Sequence, residues 1–354
     1  MKAWVLENIG EFHYKEVNRP EPDKGEVIVK VKAAGICGSD IQRVYENGAH
    51  KMPLIIGHEF SGQVESVGDS VSEEWIGRRV GIFPLIPCKK CTACISGQYE
   101  MCSNYNYLGS RTNGGFAEYV VVPEWNLITL PEEVSYEQAA MLEPMSVAVH
   151  AIRRLSITEE SSVAVCGLGT IGQFFMIFLR EKGIKNIYAI GSKESQKDAF
   201  LSMGFLENHF CNSKTMDVDE FINRNTGCKG VDVFFECVGK NETVSQAVNL
   251  TAAGGQICLV GNPYSDMLLD KKTYWKILRK QLSITGTWNS SFLGETDENA
   301  DSDDWHYVLK CLKEGRIHPE EQITHRLSLP ELDRGFHMMK EKTEPYVKIM
   351  YVVL

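Results

Sequence analysis

The chain has 354 residues, 43% hydrophobic and 24% charged, with a formal net charge of −10. That length suggests about two domains, each able to bury a core. The acidic balance excludes nucleic acid and anionic membranes as partners, because both demand a positive field, and no apolar stretch approaches the roughly 18 residues of a bilayer span.

Taken in chain order, Met1-Lys2-Ala3-Trp4-Val5-Leu6-Glu7 reaches an acid within seven positions and is neither a secretory h-region nor a transit peptide. It reads as a first strand. The 11 cysteines are odd in number and follow no export signal, which favours a reducing compartment and a cytoplasmic location. The first 130 or so residues read as β-rich: Glu26-Val27-Ile28-Val29-Lys30-Val31-Lys32 alternates with period two, and Gly and Pro recur as punctuation.

From Ser162 the texture changes to apolar strands alternating with amphipathic helices. Strands are expected at 163–166, 187–190, 231–235 and 256–260, with a helix at about 170–182, which predicts a parallel sheet covered by helices on both faces. After Thr287 the pattern breaks. An acidic loop at 295–304, a helix near 305–314 and strands near His325 and Val347 follow, expected to pack back onto the first domain. The expected fold class is α/β: a β-rich domain of 1–147 and 290–354, carrying a small lobe at about 86–104, and a doubly wound Rossmann domain of 148–289.

Cys88, Cys91, Cys94 and Cys102 follow one another with gaps of two, two and seven residues. Four thiolates on an irregular lobe can close a tetrahedral shell around zinc, leaving no position for substrate, so the site they predict is structural. Flanking Lys89 and Lys90 would offset part of the negative charge. Unrelated buried thiols are the bland alternative. An iron–sulfur cluster is the other, although the ferredoxin run has a last gap of three and then proline, whereas Ser103 follows Cys102 here.

Val163-Ala164-Val165-Cys166-Gly167-Leu168-Gly169-Thr170-Ile171-Gly172 places a GxGxxG between an expected strand and helix. In such a turn Gly167 makes the bend, Gly169 admits a pyrophosphate and Gly172 lets helix and strand approach, with Thr170 and Ile171 opening the helix whose N-terminus favours phosphate. The next strand commonly ends in an acid that binds the ribose hydroxyls. Here it ends Gly191-Ser192-Lys193, which leaves room and positive charge for a 2′-phosphate, so NADP is favoured over NAD. Glu194 would oppose this if one register shift turned it toward the ribose. Lys193 could equally be a solvated loop charge.

Three further residues suit a catalytic metal but are far apart in sequence: Cys37 in Gly35-Ile36-Cys37-Gly38-Ser39-Asp40, His58 in Gly57-His58-Glu59, and Glu143 before Pro144. Each alone has a structural reading: a packed thiol, a satisfied loop histidine, a helix-end charge.

In order, Gly57-His58-Glu59, the four-cysteine lobe, Gly114-Gly115-Phe116-Ala117-Glu118-Tyr119, Glu143-Pro144 and the glycine fingerprint make the chain resemble the zinc-containing medium-chain alcohol and polyol dehydrogenases along essentially its whole length. The resemblance implies a GroES-like catalytic domain, two zinc ions per subunit, a small-molecule alcohol substrate and a homodimer or homotetramer. It implies that Cys37, His58 and Glu143 hold the catalytic zinc, with Glu59 close by, either replacing a ligand or water in turnover or orienting the site from outside. Such a zinc lowers the pKa of the substrate hydroxyl, and the hydride passes to nicotinamide.

Ser39 matches the family's proton-relay hydroxyl, although a turn serine is the simpler reading. Family members often carry a histidine soon afterwards, yet positions 41–44 are Ile-Gln-Arg-Val, which leaves Tyr45 and His50 as candidates for the outer relay. Asn47-Gly48-Ala49-His50, His58-Glu59-Phe60-Ser61-Gly62, Leu108-Gly109-Ser110-Arg111 and Lys276-Ile277-Leu278-Arg279-Lys280 resemble members acting on phosphorylated polyols. Arg111 and Lys51 would then be candidate phosphate anchors, solvation being the ordinary role of either. The alternatives are a sorbitol-, butanediol- or threonine-type activity on an unphosphorylated alcohol, and a non-catalytic protein that binds zinc and dinucleotide.

Overall fold

The computed structural model describes residues 1–295 and 303–353, so most of the acidic loop expected at 295–304 lies outside the described residues. The chain divides into two compact units, Met1–Ser146 with Ser290–Leu354, and Val147–Asn289. Among the described residues no helix is long and apolar enough to cross a membrane.

The first unit is organised on the strand Glu26–Gly35, whose Val27, Val29 and Val31 enter the core with Trp4, Phe60, Phe116 and Phe336. Its main sheet runs in the order Leu127–Thr129, Arg79–Ile82, Glu59–Val67, Glu26–Gly35, Lys348–Val352, Ile323–Leu327, and Tyr119–Pro123 also pairs with Glu26–Gly35. A second sheet joins Glu11–Glu16, Lys2–Asn8 and Leu54–Ile55. Register matters more than strand count here. Gly35 lies opposite Glu59 on one side and Met350 on the other, so the segments holding Cys37, His58 and Lys348 meet at one end of the sheet.

The lobe is clasped at its base by the short antiparallel pair Leu85–Ile86 and Asn106–Tyr107. Beyond the pair it has only the helical turns Thr92–Ile95 and Tyr99–Met101. Ile95 is 77% exposed and from Cys88 onward the buried apolar side chains of the lobe are Cys94 and Cys102, so apolar burial contributes little to ordering this segment.

The second unit contains a six-stranded parallel sheet in the order Phe210–Asn212, Asn186–Gly191, Ser162–Cys166, Val231–Glu236, Thr251–Leu259, Ser283–Gly286. Counted along the chain that order is third, second, first, fourth, fifth, sixth, which reverses at Ser162–Cys166, where a doubly wound sheet binds its ligand. Ala164, Cys166, Tyr188, Ile190 and Phe234 pack beneath the helices Val218–Thr226 and Asn241–Leu250. The helix Thr170–Glu181 packs on the sheet through Phe175, whose ring centroid is 4.4 Å from that of Phe235. This helix departs from the amphipathic pattern expected of it, being buried continuously from Gly172 to Leu179, because its apolar run leaves no polar face to solvate.

Candidate functional site

In the lobe the four thiols converge: Cys91 Sγ is 3.5 Å from that of Cys94 and 3.9 Å from that of Cys102, and Cys88 Sγ is 4.0 Å from that of Cys94. The edge of a tetrahedron with metal–sulfur bonds of about 2.3 Å is about 3.8 Å, and these separations match it. They are far too long for disulfides. The N–H groups of Cys94 and Ser103 donate to the Cys91 sulfur and bring its pKa down to about 5. Burial, with the neighbouring Cys102 and Cys91 sulfurs, pushes Cys94 up to about 12. Cys91 and Cys94 are thus pushed in opposite directions, and a dication is what would make all four thiolates tolerable together. Lys89, with φ +58°, sets its ammonium 4.8 Å from the Trp125 ring centre, where it feels the Cys94 sulfur.

The second donor set lies within the same unit. One donor atom each from Cys37, His58 and Glu59 falls within 4.8 Å of the others. This differs from the expected trio: the third member is Glu59, and Glu143 stands beside the set with its Oε1 accepting the Tyr107 hydroxyl at 3.0 Å. Burial pushes the Glu143 carboxyl up to about 7, His58 opposing and Glu59 adding to the shift. Burial and Glu143 in turn hold the Tyr107 phenol well above its usual range.

Cys37 stands at the start of the short helix Gly38–Gln42, and the Asp40 carboxylate of that helix ties the site together. Asp40 accepts the Cys37 N–H at 3.1 Å and the Arg43 guanidinium at 2.6 Å, and lies 3.3 Å from His58 Nδ1. Burial would raise Asp40, but His58, Arg43 and the Cys37 N–H together lower it. Burial would likewise lower His58, but Asp40 and then Cys37 raise it well above the ordinary imidazole value. The Asp40 contact is close enough for an ion pair yet not aligned for a hydrogen bond, and Nδ1 is buried without a partner.

Glu59 forms a buried ion pair with Lys348, whose ammonium also donates to the Ile36 carbonyl at 3.2 Å. Gly35 is what admits the pair, since a Cβ there would lie 2.6 Å from Lys348 Cε. Three carboxylates, those of Asp40, Glu59 and Glu143, thus share a largely buried site with a thiol, an imidazole, the Lys348 ammonium and the Arg43 guanidinium. Such a set is costly to bury without a further cation, and mixed sulfur, nitrogen and oxygen donors suit zinc.

Asp40, Arg43, Tyr107 and Lys348 were not singled out from sequence. Asp40 could have been, since a metal-bound histidine commonly has a carboxylate behind it. Lys348 carries no local signal. Of the outer candidates, Ser39 is half-buried one residue before Asp40, the Tyr45 ring lies 4.4 Å from the Lys340 ammonium, and His50 is exposed. Arg111 stacks over the Tyr105 ring at 4.2 Å and donates to the Tyr105 carbonyl, while Lys51 is exposed.

In the second unit Gly167 has φ +96°, and a Cβ there would lie 2.6 Å from Val238. A Cβ on Gly172 would strike the Gly167 carbonyl, whereas one on Gly169 would meet open space. Gly169 caps the helix Thr170–Glu181 without any side-chain bond, so nothing from a cap occupies the helix N-terminus. The adjoining loop, residues 237–240, is held by buried Glu236, which accepts the N–H groups of Val238 and Gly239 and the Thr243 hydroxyl. An open glycine turn at the sheet's reversal point fits a dinucleotide pyrophosphate. Strand Asn186–Gly191 ends without an acid; Ser192 is half-buried, Lys193 exposed, and the Glu194 carboxylate accepts Asn212 Nδ2 at 2.9 Å.

Residues 23–132 match the family model for the alcohol dehydrogenase GroES-like domain, and residues 170–314 that for zinc-binding dehydrogenases. The chain is 33% identical over 330 residues to galactitol 1-phosphate 5-dehydrogenase of Escherichia coli (strain K12), covering 92% of each chain. It is 34% identical to L-idonate 5-dehydrogenase of Vitis vinifera over 340 residues, 94% of this chain and 89% of that one. Among solved structures it resembles galactitol-1-phosphate dehydrogenase from Escherichia coli, with a TM-score of 0.90, 31% identity and full coverage of both chains. A protein of Sinorhizobium meliloti 1021 described as a zinc-binding dehydrogenase and bound to NADP gives a TM-score of 0.87 at 26% identity, covering 99% of each chain. A short chain alcohol dehydrogenase from E. coli CFT073 complexed with NADH gives 0.88 at 28% identity, covering 100% of this chain and 99% of that one.

Proposed function

The chain belongs to the zinc-binding, medium-chain alcohol and polyol dehydrogenases, and from that premise we propose that it reversibly oxidises a secondary alcohol of a polyol phosphate, galactitol 1-phosphate to tagatose 6-phosphate, with NADP as preferred hydride acceptor. The observation that carries the chemistry is the convergence of Cys37, His58 and Glu59 in a buried pocket of charge, apart from the all-thiol cluster. In this reading each subunit holds two zinc ions. Zinc supplies Lewis acidity at the substrate hydroxyl, and the dinucleotide accepts the hydride.

The chain's own residues do the rest. Cys37 and His58 are the fixed donors, and the two buried carboxylates divide the remaining work. Glu59 is paired with Lys348 and Glu143 is held by the Tyr107 hydroxyl. Asp40 lies behind the His58 ring, and the Ser39 hydroxyl would act as a relay, accepting the proton lost from the substrate hydroxyl while passing its own on toward solvent, as the hydride leaves the same carbon for the dinucleotide. Cys88, Cys91, Cys94 and Cys102 close the lobe. Cys94→Ser should release the lobe zinc to a chelator and lower the unfolding temperature, and a zinc-release assay with a thermal melt reads both.

Two features support NADP: no acid ends Asn186–Gly191, and Glu194 is occupied with Asn212. Arg111, linked through stacked Tyr105 to the neighbourhood of Tyr107, is the proposed phosphate anchor, with Lys51 second. Initial rates across galactitol 1-phosphate, galactitol, sorbitol, L-idonate, butanediol and threonine, each with NAD and NADP, test substrate and cofactor together. A phosphate ester used at least tenfold better than its parent polyol is expected, since a charge-assisted phosphate contact is worth that much; equal rates would move the assignment to an unphosphorylated alcohol.

We further propose a cytoplasmic homo-oligomer that pairs through the second unit. Among the described residues, strand Ser283–Gly286 has a neighbour on one side only, and Tyr274, Trp275, Leu278, Ile284 and Trp288 are exposed on or beside it. An apolar open edge favours a second strand. Light scattering should give a dimer or tetramer, and Ile284→Lys should shift it toward monomer.

A further inference from the structure

Gln196, on the helix Glu194–Ser202, reaches two separate segments of the nucleotide cradle. Its Oε1 accepts the N–H groups of Ser192 at 2.8 Å and Lys193 at 3.2 Å, and its Nε2 donates to the Leu168 carbonyl at 2.9 Å. A second amide, that of fully buried Gln173, reaches the same carbonyl at 3.4 Å. A trans peptide is planar, with its C=O and N–H opposed. Holding the Leu168 carbonyl toward Gln196 therefore turns the Gly169 N–H the opposite way, and Gly169 is the N-cap of the helix Thr170–Glu181, with open space where a side chain would stand.

The loop after strand Asn186–Gly191 is shaped by the same side chain. With the Ser192 and Lys193 N–H groups engaged by Gln196, that loop keeps its form through the protein's own bonds. Neither the glycine fingerprint nor the acid expected at the strand end marks position 196.

We propose that Gln196 is a positioning residue that ties the adenosine-side loop to the pyrophosphate turn, so that a dinucleotide meets both as one pre-organised surface. This inference rests on the dinucleotide reading above. Because the two segments are coupled through one amide, its removal penalises a ligand that spans both more than one that touches the loop alone.

Two variants separate the bonds. Gln196→Glu keeps the acceptor for Ser192 and Lys193 and loses donation to Leu168; Gln196→Met loses all three. Calorimetric titration of the zinc-loaded protein with NADP and with adenosine 2′-phosphate, which lacks the 5′-phosphate and so meets the loop alone, reads the coupling, and the smaller ligand also controls for the added charge of the glutamate. For Gln196→Glu we expect NADP to bind about tenfold more weakly and adenosine 2′-phosphate to stay within about threefold. For Gln196→Met both weaken, NADP the more. NADP affinity within twofold of wild type in both variants, or equal loss for the whole and the smaller ligand, would overturn the proposal; a residue that only held the fold would give the second pattern with a lowered unfolding temperature. If the wild-type protein bound neither NADP nor NAD, the cofactor reading itself would fall, and this inference with it.

Discussion

Cys37→Ala is expected to reduce turnover on the order of a thousandfold while the lobe keeps its zinc, because Lewis-acid activation is worth several kcal/mol and each decade of rate is about 1.4 kcal/mol. The two metal sites use different means of support, and that is why they should separate. The lobe's four donors lie within fifteen residues of one another and are clasped by their own strand pair. Cys37 instead joins His58 and Glu59 across the register of Gly35 with Glu59, beside an apolar core that includes Val27, Val29, Val31 and Phe60. Removing the Cys37 thiol therefore takes a ligand from one site and no packing from the other. Zinc content per chain, measured beside kcat, checks both halves. Full activity with a lost zinc, or loss of both zincs together, would refute the division of labour.

How much of this was legible in the sequence depends on how local each cause is. The glycine turn is set by steric demands within six residues, so Gly167, Gly169 and Gly172 could be assigned roles before any coordinates. That the second unit holds a parallel sheet followed from the alternation of apolar strands with helices, since parallel neighbours need crossovers; the order of its strands did not. The four-thiol cluster was equally local. What the sequence missed acts at a distance: Lys348 lies 289 positions from Glu59, and nothing in Val347-Lys348-Ile349 distinguishes a buried ammonium from an edge lysine. The choice between Glu59 and Glu143 was hidden for the same reason. Both are glutamates in recognisable motifs, and only the register of Gly35 and the reach of the Tyr107 hydroxyl separate their surroundings. The burial of Thr170–Glu181 was underestimated because periodicity cannot tell a surface helix from one enclosed on all sides.

Lys348→Met should destabilise the metal-free protein by about 3–5 kcal/mol, because breaking a buried pair by removing one partner strands the other charge. Both Glu59 and Lys348 are within 2% of complete burial, and among the described residues the ammonium's other bond is to the Ile36 carbonyl. The carboxylate left behind is almost wholly shielded from solvent. Adding Glu59→Gln should recover most of the loss, so a double-mutant cycle gives a large coupling energy. Zinc makes the experiment informative about function. If Glu59 faces the metal together with Cys37 and His58, the bound cation takes over part of the charge compensation that Lys348 supplied. The Lys348→Met penalty should then shrink on zinc loading, and the variant should gain more stability from zinc than the wild type does. Denaturant unfolding of both proteins, with zinc and with a chelator, measures the four free energies directly. Equal penalties in the two conditions would mean that Glu59 answers to Lys348 alone, and Glu143 would remain as the carboxylate for the catalytic metal. A smaller penalty with zinc would mean that lysine and metal share one carboxylate, with Lys348 drawing on the charge that zinc would otherwise hold and so favouring an open coordination position for the substrate hydroxyl.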